Sequence, residues 1–158
     1  MPDGASGPDG VTGIAGQPDA LAAKQAITEL VYRYAQVVRY DRLDETADLY
    51  VADGLFEVRR GACDRDEHVV QSREVGRDAI RAMLRQGGKG NPHPVPLIHN
   101  LLIEVDGDTA SATCVMEGRM SSGEVGFWGE YRDSFARVDG RWFFSARVFT
   151  IFEAGSSI

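Results

Sequence analysis

Apolar residues recur at three- and four-residue steps through most of the first half of the chain and at two-residue steps through the second. From Ala20, the positions Ile27, Leu30, Val31, Tyr34 and Val38 form one stripe, which predicts an amphipathic helix. Asp44 to Tyr50 predicts a shorter second helix, with Leu43, Ala47 and Tyr50 turned inward. Asp53-Gly54 is a turn signal, Leu55 to Arg60 a first strand, and the polar stretch through Ser72 a loop. Arg77 to Leu84 predicts a third helix, with Ile80, Met83 and Leu84 on one side, ended by Gly87-Gly88-Lys89-Gly90-Asn91-Pro92. Beyond it the pattern is all strand: Leu97 to Val105, Ala110 to Met120, Val125 to Val138 and Arg141 to Phe152. Asp106-Gly107-Asp108, Ser121-Ser122-Gly123 and the hairpin signal Asp139-Gly140 separate these runs. In the last of them Trp142, Phe144 and Val148 are expected on one face and Phe143, Phe149 and Ile151 on the other. Such a strand is covered on both sides, by helices on one and by a pocket or a partner subunit on the other. Helices on one face of a curved antiparallel sheet bury these elements, an α+β fold.

Composition narrows what such a domain can do. At 158 residues, 43% hydrophobic and 26% charged, the chain suits one globular domain with a core of its own. Met1 to Pro18 is almost wholly Gly, Pro, Asp, Ser and Ala, too poor in apolar surface to offset its ordering entropy; residues 1–19 are expected as a disordered tail and 20–158 as the domain. A formal charge of -7 argues against nucleic acid as a partner, because phosphate binding needs a clustered basic face. No apolar run nears the roughly 20 residues that span a bilayer, and the start lacks the features of a signal peptide, so the expectation is cytoplasmic. Cys63 and Cys114 are expected as free, buried thiols, and His68, His93 and His99 lack metal-ligand spacing, so no metal is expected.

Four segments in order carry a resemblance: Tyr32-Arg33-Tyr34-Ala35, Leu49-Tyr50-Val51-Ala52-Asp53, His99 through Ala110, and Glu130 through Phe135 leading to Asp139-Gly140-Arg141-Trp142. Together they resemble the nuclear transport factor 2-like superfamily, and within it the SnoaL-like branch, over Ala20 to Phe152. The resemblance implies a cone-shaped curved sheet wrapped by three N-terminal helices around an internal pocket. The similar enzymes are scytalone dehydratase, the bile-acid 7α-dehydratases and hexachlorocyclohexane dehydrochlorinase, lyases that need no cofactor. They use an Asp–His pair as base, helped by tyrosine hydroxyls. By that pattern His99 carries over as the histidine and Tyr34 as the helix tyrosine. Laid without gaps, the pattern puts Arg39 at the place of the aspartate; Asp41, two positions on, lies closer to Tyr34 in helical angle. Asp41 beside His99 would favour imidazolium and tune a base, whereas Arg39 there would suit an anionic substrate or an enolate.

The candidate chemistry follows. His99, in step with Leu101, Ile103 and Val105, is expected to face the interior as the base. Tyr34 is expected as the hydrogen-bond donor to a developing oxyanion, with Asp41 as the candidate catalytic second polar group and Arg39 as the alternative in that place. Arg39, Tyr50, Trp128 and Tyr131 are the candidate substrate contacts. Tyr131, Asp133 and Phe135 share one strand face and Trp128, Glu130 and Arg132 the other, with Asp133 expected as a structural partner. Two functions of different class fit. One is a cofactor-independent lyase, isomerase or cyclase for a small, apolar, oxygenated ring or polyketide-like substrate. The other is a non-catalytic binding or dimerisation module of the same fold. The open sheet face predicts a homodimer or homotrimer.

Overall fold

The computed structural model describes residues 17–124 and 126–153. Most of the expected tail, residues 1–16, lies outside the described residues, and helix already begins at Gln17. The first helix, α1 (Gln17–Arg39), carries Asp19 in its first turn and Arg39 in its last, complementing the macrodipole at both ends. Four of its five expected stripe positions are buried, Ile27 and Val31 fully and Leu30 and Tyr34 nearly so, but at the last turn Val37 takes the core position and Val38 is only partly buried. Each such side chain contributes about 1.5–3 kcal/mol by leaving water. A short α2 (Leu43–Asp48) leads into β1 (Tyr50–Gly61), then β2 (Val69–Val75), α3 (Arg77–Gln86) and the strands β3 (Pro94–Asp106), β4 (Thr109–Met120), β5 (Phe127–Val138) and β6 (Arg141–Phe152).

The six strands form one curved, unclosed sheet in the order β2-β1-β6-β5-β4-β3. All neighbours are antiparallel except β1 and β6, which run parallel. The helices cover its inner face, α1 lying mainly along β3. Two local readings are corrected. Asp53-Gly54 does not turn the chain; it sits within β1, at a break in the β6 pairing between Tyr50 and Leu55. A side chain at Gly54 would crowd the Tyr50 Cβ at 3.0 Å, so the residue marks close approach and not a turn. The expected loop through Ser72 contains β2, an edge strand whose residues are nearly all exposed and so show no alternation.

Two irregularities decide which side chains face inward. In β3 the pairing with β4 slips between His99 and Leu102, with Asn100 in a left-handed conformation at φ 52°. In β6 the pairing with β5 slips at Phe135, so that Phe144 and Ala146 face consecutive β5 residues. Each slip adds one residue and reverses the alternation beyond it. Before the slip in β6, Trp142 and Phe144 face the core; after it, Arg147 and Phe149 do. The expected split of this strand is therefore overturned: Trp142, Phe144 and Phe149 all face inward, and Val148 lies on the outer side with Thr150. The strand is apolar at both parities because a bulge joins two inward runs.

Candidate functional site

The inner face holds a charged group at its centre. Arg147 is fully buried, as is Asp133 at 3% exposure. The guanidinium donates through Nε to Asp133 Oδ1 and through Nη2 to Oδ2, both at 2.8 Å, a bidentate fork. Aromatic faces close around it. Its Cζ lies 3.7 Å from the ring centre of Tyr131, 4.1 Å from that of Tyr34 and 4.4 Å from that of Phe144. Tyr50 completes the cage, 6.2 Å from Tyr34 and 5.5 Å from Phe144, between centroids. Two polar atoms are left over: Nη1 of Arg147, the third guanidinium nitrogen, and the Tyr50 hydroxyl are buried without a well-formed hydrogen bond among the described residues, the Tyr50 hydroxyl having only that of Tyr34 near it.

Each part has a local cause. The β6 bulge turns Arg147 inward, and Asp133 stands opposite it in the β5–β6 register. Tyr34 comes from the α1 stripe, Tyr131 from the inward parity of β5, and Tyr50 from the first position of β1. Burial pulls the Arg147 pKa down, but the Asp133 carboxylate and the tyrosines more than restore it, so the cation persists far above its ordinary range. Burial raises the Asp133 carboxyl and Arg147 draws it back down; the fork geometry is that of an ionised pair. Burial foremost lifts Tyr50 and Tyr131 well above the ordinary phenol value, so both stay neutral donors. Cys114, buried against Tyr131, is raised to about 11, chiefly by burial, and remains an unreactive thiol. Both Asp133 oxygens are committed to Arg147, so what the cluster offers a ligand is donation from Nη1 and a phenol, within aromatic walls. None of five clefts mapped among the described residues is lined by Arg147, Asp133 or the three tyrosines.

The sequence-predicted residues divide. Tyr34, Tyr50 and Tyr131 converge on Arg147. His99 does not join them: the Asn100 bulge leaves Ile98 and Leu101 inward and His99 on the outer face, half exposed. The expected interior histidine is corrected on that ground. The charged side chain it meets is Glu117, with Nε2 3.7 Å from Oε2, and neither Asp41 nor Arg39 is its partner. His99 and Trp128 share an outer cleft of about 360 Å³ with Glu117, Arg119 and Phe127. Asp41, at φ 55°, accepts the Gly90 N–H through Oδ2 at 2.7 Å. The Arg39 guanidinium lies 5.3 Å from the Tyr40 ring centre, at the exposed end of α1. Cys63 is exposed and not buried as expected. Arg147 went unrecognised as a site residue, although an arginine between Phe144 and Phe149 in a strand of large apolar residues was a usable signal. The Asp133 partnership matches its expected structural role.

Among family models, that of the SnoaL-like domain matches residues 19–148. No curated protein matches the chain. Solved structures do. A function-unknown protein from Mycobacterium tuberculosis is 22% identical, with a TM-score of 0.73 over 93% of this chain and 80% of its own. A nuclear transport factor 2-like protein with a cystatin-like fold from Novosphingobium aromaticivorans is 23% identical, TM-score 0.70, covering 95% of each chain. A protein provisionally assigned as a scytalone dehydratase, from the same organism, is 23% identical, TM-score 0.63, over 87% of this chain and 90% of its own. At these identities the likeness establishes the fold.

Proposed function

The chain belongs to the SnoaL-like family, and from that premise we propose that it is a cofactor-independent isomerase, cyclase or lyase. Its substrate is a small, largely apolar oxygenated ring or polyketide-like molecule, and Arg147 takes the oxyanion-stabilising role expected of Tyr34. The observation that carries this reading is the pair of unpaired buried donors, Arg147 Nη1 and the Tyr50 hydroxyl, inside an aromatic cage. A buried donor without a partner costs about 1–3 kcal/mol, so two in one cage need an account. A carbonyl oxygen placed between them would accept from both. Charge growing on that oxygen during ring closure onto the carbonyl would meet a fixed cation in a water-poor site, where such interactions are strongest. Tyr34 and Tyr131 would hold the substrate ring by face and edge. The cluster favours activation of a carbonyl for ring closure over isomerisation or elimination, both of which need a group to take the proton, because the carboxylate beside it is already occupied.

Tyr50→Phe tests the reading. Removing an unpaired buried hydroxyl while keeping the ring should leave stability unchanged or raise it by about 1 kcal/mol. It should also weaken binding of bicyclic ketones and hydroxylated aromatics, followed by the Nε–H resonance of Arg147, and lower turnover of any that react by about 10²–10³-fold. Unchanged ligand shifts in Tyr50→Phe would remove the support for this site. A second reading, a non-catalytic binding or dimerisation module, is favoured by the enclosure of the cluster and by the outer position of His99. It stands if no member of the panel moves the Arg147 resonance.

A further inference from the structure

The loop between α3 and β3 is tied to the end of α1 by an unusual histidine. His93 points Nε2 at the Arg39 carbonyl oxygen, 3.0 Å away, and Nδ1 at that of Asn91, also 3.0 Å away. Both targets are acceptors. A neutral imidazole carries one N–H, so in that form one nitrogen would set its lone pair against a carbonyl lone pair; only imidazolium donates to both. The Arg39 carbonyl belongs to the last turn of α1, where a helix leaves acceptors unpartnered and favours a cation.

The surroundings agree. Asp41 is the charged group that raises the ring's pKa, and it also accepts the Gly90 N–H of the same loop at 2.7 Å. From the turn after β4, the uncharged Ser121 accepts the His93 backbone N–H at 3.1 Å, with its hydroxyl 3.5 Å from Nδ1. From α2 and α3 the neighbours across the cleft are Leu43, Thr46, Met83 and Leu84, none titratable. The Arg39 side chain turns away to Tyr40. The two carbonyls, against burial and with help from Asp41, hold His93 above the ordinary histidine value. Gly88 and Gly90, at φ 75° and 88°, give the loop positions about which it can pivot. Beneath it lies a cleft of about 230 Å³ whose apolar floor includes Val38, Leu43 and Leu84.

We infer that Gly87–His93 is a proton-controlled lid: protonated His93 fastens the loop to the end of α1 over this cleft, and loss of the proton releases it. The device stands apart from the Arg147 cluster and does not depend on the function proposed for it. Amide exchange of Gly88 and Gly90, corrected for intrinsic rates and followed by NMR beside the His93 ring resonance, tests it. As pH rises through the His93 titration, protection of both amides should fall together by about tenfold or more, the worth of one charge-assisted hydrogen bond. His93→Gln should abolish the step, and Asp41→Asn should move it to lower pH along with the His93 titration. Constant protection across the His93 titration, a step that survives in His93→Gln, or a His93 that does not titrate would each overturn the lid.

Discussion

Arg147 sits where a charge is least welcome, and what surrounds it sets the consequence of disturbing it. Its solvation is replaced by two hydrogen bonds that it donates to Asp133 and by three ring faces. Removing one partner leaves the other charged in a dry site. Asp133→Ala should therefore lower stability in urea unfolding by about 3–5 kcal/mol. Replacing both residues by apolar side chains of similar volume should recover most of that loss, because the pair's net contribution is small once desolvation is counted. Equal instability of the single and double variants would show that the pair shapes the core beyond its charge. His93 contributes with the opposite pH sign to a salt-bridged carboxylate. Its pKa is raised in the fold, so its stabilisation is complete below about 6.5, the unfolded value, and is lost as pH rises through the folded value.

At the level of the elements, the bulges in β3 and β6 settle the chemistry of the inner face. Asn100 tolerates the left-handed conformation that its bulge requires. Asn100→Gly should stay within about 0.5 kcal/mol of the parent, whereas the β-branched Asn100→Val should cost about 1–2 kcal/mol in denaturant unfolding. Equal effects would mean that the conformation is not retained in solution. The same bulges mark where sequence reading stops. Helical spacing made Ile27, Val31 and Tyr34 legible, since a long helix tolerates no slip in its stripe. Alternation placed Tyr131, Asp133 and Phe135 on one side of β5, which keeps its period through them. It failed for His99 and Val148, because one extra residue in a strand inverts every position after it and leaves no compositional trace. β2 was missed for a different reason: an edge strand exposed on both faces has no hydrophobic period to read.

For the whole molecule, the outer sheet face is the open question of assembly. It carries half-exposed Trp128 and well-exposed Leu102 beside ion pairs such as Arg132 with Glu130 and Asp66. We propose that these apolar side chains, set in a polar rim, are covered by a second copy of the chain. Light scattering at micromolar concentration should give two or three times the 17.3 kDa of one chain, and Trp128→Glu should lower it. A mass of one chain for the parent protein would set aside assembly through this face. No helix among the described residues is long and apolar enough to cross a membrane.

The parallel pairing of β1 with β6 also governs how the protein comes into being. Tyr50 and its neighbours find their partners from Phe144 to Phe152, so the middle of the sheet joins two segments far apart in sequence. On the ribosome, α1, the β1–β2 pair and the β3–β4 hairpin can form as they emerge, but the other edge of β1 stays empty until β6 has been made. Closing so long a loop is slow, and until then the Arg147 cage does not exist. Folding thus passes through a stage in which one edge of β1 is unpaired and the aromatic interior exposed, a state open to chaperones and to aggregation.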